Sequence, residues 1–165
     1  MTRKPNTVGG GSRTNFNGLK FEARADLRDA IAIHPVYDLR SDKVYENGKV
    51  VAKYYEKHSL YKELLAPNGV NYKNYLSKKL LPDGALLVGK TVYIIEKKYQ
   101  AGAGSVDEKL QTCDFKKKQY IKLFKPLNIK VEYYYVLNDW FRKPEYEDVF
   151  EYIESVGCKY FIEEL

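Results

Sequence analysis

Residues 80–100 read LLPDGALLVGKTVYIIEKKYQ, in which Gly89-Lys90 separates two apolar segments. A Gly-X pair in this position is typical of a two-residue type II′ hairpin, so the sequence predicts that Val88 pairs with Thr91. Apolar residues occupy both odd and even positions of the two segments, as in strands that are buried on both faces. The stretch therefore predicts a central pair of strands in a sheet with other elements on both sides.

Polar residues lie at the open end of this hairpin. Counting outward from the turn places Asp83 opposite Glu96, and Lys98 follows on the same face. Two facing carboxylates repel each other unless positive charge lies between them, and Mg²⁺ is commonly bound by one or two carboxylates. The alternative is a solvated salt-bridge cluster in which Lys98 pairs with both acids.

The rest of the sequence predicts the elements around this hairpin. Before it we expect a helix over 17–33, strands over 43–46 and 49–55 joined at Asn47-Gly48, and helices over 58–65 and 71–80 on either side of a turn at 67–69. After it we expect a helix over 106–124, a strand over 129–137, a helix from Pro144 to a C′ residue at Gly157, and a strand within 158–165. The strand–helix–strand order predicts a parallel crossover, and so an α/β sheet covered by helices.

The helix over 106–124 carries two more specific predictions. Ser105 and Glu108 fit a capping box, with Ser105 as the N-cap. Its inner face is expected to consist of Val106, Leu110, Cys113, Ile121 and Phe124. The basic run at 116–118 is either a solvated helix face or a phosphate clamp.

Length and composition indicate one globular domain. The chain has 165 residues, of which 44% are hydrophobic, and its formal charge of +6 makes a polyanion a plausible partner. Two cysteines without C-x-x-C spacing predict reduced thiols, and no signal peptide or membrane span is visible, so we expect a cytoplasmic protein that does not enter a membrane. Residues 1–15 are basic and rich in small polar residues, which predicts a flexible arm that either is simply disordered or wraps DNA.

Pro82-Asp83, twelve residues and then Glu96-Lys97-Lys98 resemble the signature of the PD-(D/E)XK nucleases. The segments TNFNGLKFE (14–22), EKKYQ (96–100) and GSVDEKL (104–110) resemble a subset of type II restriction endonucleases. The resemblance implies that residues 16–165 form a single-domain α/β/α restriction-endonuclease-like core, with a central mixed sheet flanked by helices.

The resemblance also implies a site and an activity. Asp83 and Glu96 would hold Mg²⁺, or Mn²⁺ in its place, with the Lys97 carbonyl as a further ligand, and Lys98 would assist the attacking water. Glu22 and Gln100 would act beside them; the alternatives are a solvated helix glutamate and a polar strand end. The expected activity is cleavage of double-stranded DNA by a homodimer at a palindromic site, leaving 5′-phosphate and 3′-hydroxyl ends.

Several residues are candidates for contact with DNA. Gly104 and Ser105 open a loop and helix start that could seat a phosphate, although a plain connection with a good cap is equally consistent. The full set of candidates is Arg3, Lys4, Arg13, Asn15, Asn17, Lys20, Gly104, Ser105 and Lys109. Two further hypotheses remain open: a repair nuclease or junction resolvase that reads DNA shape, and a DNA-binding domain without catalysis.

Overall fold

A seven-stranded mixed sheet forms the centre of the fold. The computed structural model describes residues 27–102 and 104–162. The strands are β1 (Tyr37–Arg40), β2 (Lys43–Glu46), β3 (Lys49–Tyr55), β4 (Gly84–Val88), β5 (Thr91–Lys98), β6 (Lys130–Leu137) and β7 (Lys159–Ile162), and they lie in the sheet in chain order. Strands β1 to β5 are antiparallel, whereas β5, β6 and β7 are parallel. The α/β class and the parallel crossover predicted from the sequence are confirmed.

The register of the β4–β5 hairpin is also confirmed. Val88 pairs with Thr91, and the ladder continues outward to Gly84 and Ile95. Gly89 has a φ of +58°, which glycine adopts without strain and which a tight turn of this kind requires. The strands over 43–46 and 49–55 have the expected bounds, whereas β1 was not predicted.

Each face of the β4–β5 pair belongs to a different hydrophobic core. On one face, Ala85, Val92 and Ile94 belong to a core that includes residues of helices α2 (Val106–Leu110), α3 (Cys113–Phe124) and α4 (Glu147–Ser155). On the other face, Leu86 and Tyr93 pack in a core with helix α1 (Leu27–Ala32). We call these the α3 face and the α1 face. The alternation confirms that the hairpin is central and buried on both sides.

The long helix over 106–124 is in fact two helices, and its capping box does not form. The side chain of Ser105 makes no capping hydrogen bond, since its φ and ψ of −95° and 15° lie outside the extended region that an N-cap needs. Thr112 interrupts the helix because its hydroxyl donates to the carbonyl of Lys109 at 2.8 Å, in competition with the helical backbone.

The predicted inner face of that helix was wrong at one position. Ile121 is 41% exposed, whereas Tyr120 and Leu123 are fully buried. Seven residues make about two helical turns, so Tyr120 repeats the direction of Cys113, and Ile121 lies one step past it. Both cysteines, Cys113 and Cys158, are free and buried.

Between β3 and β4 the chain is less helical than predicted. A π-helix covers Leu60–Leu65, and a 3₁₀ turn at Ala66–Asn68 ends at Gly69, where φ is +80°. The prediction of a helix over 71–80 was wrong. Within that range only Tyr72–Asn74 is helical, and the chain then has no regular structure until β4. Tyr61 accounts for part of this, since its hydroxyl bonds both the carbonyl and the amide of Leu80.

The last helix follows the prediction with a small difference. Pro144 opens a 3₁₀ turn, Pro144–Tyr146, and α4 begins directly after it. Gly157, with a φ of +73°, follows the C-cap Val156 as predicted. Of the helix over 17–33, only the end that forms α1 lies within the described residues.

Candidate active site

Asp83 lies immediately before β4, and its carboxylate binds the backbone of β5. The Lys97 amide donates to Asp83 Oδ2 at 2.8 Å, so the aspartate side chain takes over where the β4–β5 backbone ladder has ended. The N–H and C=O groups of a strand residue face the same neighbour, which directs the Lys97 carbonyl toward the same side. The sequence predicted Asp83 opposite Glu96. The observed ladder ends one pair earlier, at Gly84 and Ile95, and the Asp83 carboxylate binds the amide of Lys97, the residue after Glu96.

Glu96 is a buried carboxylate on the α3 face. It is 7% exposed, and burial raises its pKa above the ordinary value. The positive charges of Lys116 and Lys98 lower that pKa, while the negative charge of Asp83 raises it. The charge of Asp83 therefore acts against ionisation of Glu96, in the direction that the hairpin register predicted.

Lys98 interacts with one of the two acids. Its Nζ lies 3.5 Å from Glu96 Oε2, and its side chain is 20% exposed. Within the described part of the chain, Lys98 forms no ion pair with Asp83. The solvated cluster in which Lys98 pairs with both acids is therefore not what the structure contains.

A network of contacts outside the hairpin positions the segment before Asp83. The Lys57 amide donates to the Pro82 carbonyl at 2.9 Å. The Tyr61 hydroxyl bonds the backbone of Leu80, and burial raises the pKa of Tyr61 to about 12, so the phenol stays protonated. The 56–82 segment thus fixes where the chain enters β4. Sequence patterns gave no signal for this, because the partners are far apart along the chain.

Gln100 lies past the end of β5 and is tied to the loop after β6. The Asn138 side chain accepts from the Gln100 amide at 3.0 Å and donates to the Gln100 carbonyl at 2.7 Å. The Gln100 side chain donates to the Gly102 carbonyl at 2.8 Å, and its Oε1 is buried without a hydrogen-bond partner in the described structure. Gln100 is therefore held rigidly beside the site. Asn138 was missed, and its position directly after a strand end was the available signal.

The three lysines of the basic run on α3 have different surroundings. Lys116 is the first of the two lysines whose charge lowers the pKa of Glu96. Lys117 donates to the Gly157 carbonyl at 2.7 Å, and Lys118 pairs with Asp114 at 2.8 Å. Only Lys116 therefore contributes to the electrostatics of the site, a difference that the run KKK could not reveal.

The remaining predicted site residues divide into two groups. Gly104 and Ser105 are exposed just before α2, and Lys109 is exposed in its last turn. The first turn of α2 carries Asp107 and Glu108. These acids oppose an anion at that helix end. The other predicted residues lie outside the described residues; they are Glu22, Arg3, Lys4, Arg13, Asn15, Asn17 and Lys20.

The donor set fits a hard divalent cation with few protein ligands. Within residues 27–102 and 104–162, no group of three or more His, Cys, Asp or Glu side chains could hold a metal. Mg²⁺ needs fewer, since it is usually bound by one or two carboxylates with water and substrate phosphate in its other positions. Asp83 and Glu96 match that pattern, and Glu96 is a buried carboxylate whose pKa burial raises above the ordinary value.

Comparison with known proteins gives no assignment. No family model, curated protein or solved structure matches the chain. No helix in the described ranges is long and apolar enough to cross a membrane.

Proposed function

We propose that the protein is a Mg²⁺-dependent, sequence-specific endonuclease of double-stranded DNA, with a restriction-endonuclease-like core. The observation that supports this most directly is that Asp83 bonds the Lys97 amide, next to the buried Glu96 at the end of the hairpin, while Lys98 pairs with Glu96. A buried carboxylate such as Glu96 is costly to folding unless positive charge compensates it. The basic composition of the chain fits a DNA substrate.

Asp83 and Glu96 would hold the metal, together with the Lys97 carbonyl. Bound there, Mg²⁺ would supply positive charge beside the scissile phosphate and make water more acidic. Glu96 must be ionised for this role, and Lys98 and Lys116 favour its ionised form.

Lys98 would act on the attacking water or on the phosphate. Its ammonium group, held by Glu96, can donate to the attacking water or to a phosphate oxygen as negative charge develops. The water oxygen forms a bond to phosphorus, the bond to the 3′ oxygen breaks, and that oxygen takes up a proton. The products are a 5′-phosphate and a 3′-hydroxyl. A homodimer on a palindromic site would cut both strands.

Cleavage of phage DNA tests the proposal. The purified protein is incubated with the DNA and Mg²⁺, and the ends of the fragments are sequenced. Discrete bands with one shared end sequence are expected, and none should form with EDTA. Asp83→Asn should abolish cutting. Asp38→Asn is the matched control, because Asp38 is an exposed aspartate of β1 that pairs with Arg40.

Two outcomes would replace the proposal by another function. Preferential cutting of branched or mismatched DNA would indicate a repair nuclease or resolvase. DNA binding without any Mg²⁺-dependent cutting would indicate a binding domain without catalysis.

A further inference from the structure

A solvent-open groove lies beyond the ends of β5 and β6, and nothing in the proposed mechanism uses it. It has a volume of about 560 Å³ and is formed by the segments 99–101 and 138–143. Both segments directly follow parallel strands, whose carboxyl ends are where open α/β sheets bind ligands. We call it the strand-end groove.

The strand-end groove adjoins the candidate active site. Lys98 is the last residue of β5, and Tyr99, which follows it, lines the groove. Gln100 and Asn138 form a rigid floor through their paired backbone and side-chain hydrogen bonds. A polymer bound across Lys98 would therefore extend into the groove with its next unit.

The groove combines aromatic surface with positive charge. Tyr99 is 38% exposed, and the Trp140 ring is fixed by a hydrogen bond from its Nε1 to the Tyr146 hydroxyl at 3.0 Å. Lys143 Nζ lies 3.1 Å from the centre of the Trp140 ring. These are the two features by which proteins hold single nucleotides, since bases stack on aromatic rings and phosphates pair with cations.

Lys143 is the cation that remains available for a phosphate. Arg142 is already engaged, because its Nε pairs with Asp139 Oδ1 at 2.6 Å. Among the described residues, no carboxylate lies within 4 Å of the Lys143 ammonium group, whose neighbour is the indole ring. A phosphate would therefore meet a positive charge without first breaking an ion pair.

We infer that the strand-end groove binds one nucleotide of the DNA strand next to the scissile phosphate, with its phosphate on Lys143 and its base, flipped out of the duplex, against Tyr99. The inference rests on the proposed function only in that the nucleotide belongs to the substrate. Binding itself needs neither metal nor cleavage, so the two can fail separately.

Tryptophan fluorescence gives a direct test, because Trp140 is the only tryptophan of the chain. The wild-type protein in EDTA is titrated with a short DNA duplex. Tryptophan is excited at a wavelength longer than those that tyrosine absorbs, and its emission is recorded. A saturable change in emission is expected as a phosphate binds the Lys143 ammonium group, which lies on the Trp140 ring. Inorganic phosphate and a free nucleoside, titrated separately, should each produce less change at equal concentration.

Two variants connect that signal to the groove. Lys143→Ala should weaken DNA binding and lower the slope of log affinity against log salt by about 1, as for loss of one phosphate contact. Lys90→Ala is the matched control, because Lys90 is an exposed lysine in the turn at the opposite end of β5. Tyr99→Ala, measured with labelled DNA, should weaken binding by at least about fivefold, and Tyr99→Phe, which keeps the ring, by less.

Either of two results would overturn the inference. One is unchanged tryptophan emission at DNA concentrations that saturate binding of labelled DNA. The other is a salt slope and affinity in Lys143→Ala equal to those in Lys90→Ala. Cleavage with Mg²⁺ is measured in parallel. If the enzyme cuts DNA but the emission of Trp140 does not change, the groove is not a nucleotide site and the proposed function still stands.

Discussion

Two glutamate–lysine pairs with the same spacing lie on neighbouring strands, and only one has the surroundings of a site. On β6, Lys130 Nζ lies 2.8 Å from Glu132 Oε1, and the lysine side chain is 71% exposed. On β5, Lys98 Nζ lies 3.5 Å from Glu96 Oε2, and the lysine side chain is 20% exposed. The looser pair is thus the more buried one.

The difference between the pairs comes from their position in the sheet. Glu132 pairs with Tyr93, near the turn end of β5, and its lysine extends into solvent. Glu96 lies at the other end of β5, where Asp83 adds a second negative charge and burial raises the pKa of Glu96. The comparison teaches that the same spacing along a strand gives different surroundings, because only Glu96 combines burial with a second acid nearby.

Replacement of the two glutamates should give the largest contrast. Glu96→Gln removes a proposed metal ligand and should reduce Mg²⁺-dependent DNA cleavage below detection. Glu132→Gln should cut like wild type, because its carboxylate bonds only a surface lysine among the contacts described. Rates of plasmid cleavage for the two variants provide the measurement, and equal rates would show that the pairs do not differ in function.

Replacement of the two lysines should separate catalysis from surface charge. Lys98→Ala should lower the cleavage rate by about 10²–10⁴, the usual effect of losing a group that transfers a proton or stabilises developing charge. Lys130→Ala should leave the rate within about twofold, since an exposed ion pair contributes little. A normal rate for Lys98→Ala at saturating Mg²⁺ would remove Lys98 from the mechanism.

Substitution of Gly84, the first residue of β4, tests how much the stability of the fold depends on close packing beside Asp83. A Cβ atom at Gly84 would lie 2.6 Å from Leu27 Cδ2, in a core where Leu27 is 1% exposed. Gly84→Val should therefore cost roughly 1–3 kcal/mol in the free energy of unfolding. Urea unfolding measures this. Gly102→Val is the control, because a Cβ there meets nothing within 4 Å in the described structure, and an equal cost for both would contradict the argument.

The sequence predicted the hairpin end of the site because its geometry is local. A two-residue turn fixes the register from Val88 and Thr91 out to Gly84 and Ile95, so counting was sufficient to place Asp83 at the end of β5 that carries Glu96. The central position of the hairpin followed from apolar residues on both faces. Local sequence patterns also predicted the bounds of β2 and β3 and the end of the last helix at Gly157.

What the sequence did not predict depends on contacts between distant segments. Tyr61 bonds Leu80, and Asn138 bonds Gln100 across 38 residues, neither of which a periodic pattern encodes. The prediction of one helix over 106–124 was wrong at Thr112, where a single hydroxyl competes with the backbone. In the run of lysines at 116–118, composition is uniform and only the packing of α3 against the sheet separates the three.

The raised pKa of Glu96 predicts an effect of pH on stability. The folded state holds the Glu96 proton more tightly than the unfolded chain, so stability falls as pH rises above the unfolded value of about 4.3. Without metal at neutral pH, Glu96→Gln should therefore melt at a higher temperature than wild type, and the difference should vanish at low pH.

Thermal melts across pH measure this effect, with Glu132→Gln as the control that should not gain stability. Mg²⁺ should then stabilise wild type but not Glu96→Gln, because binding to the folded state raises its stability. A loss of stability in Glu96→Gln at neutral pH would show that the buried carboxylate is already fully compensated.

Lys116 should give the smallest effect, a shift of pH dependence without loss of activity. Its charge is the first of those that lower the pKa of Glu96, so Lys116→Gln should raise that pKa further and move the acidic limb of the cleavage profile to higher pH. Lys117→Gln and Lys118→Gln are matched controls one and two residues away, because these lysines contact Gly157 and Asp114 instead. If all three variants shift the limb equally, the general positive charge of α3 acts on Glu96, and the particular position of Lys116 does not matter.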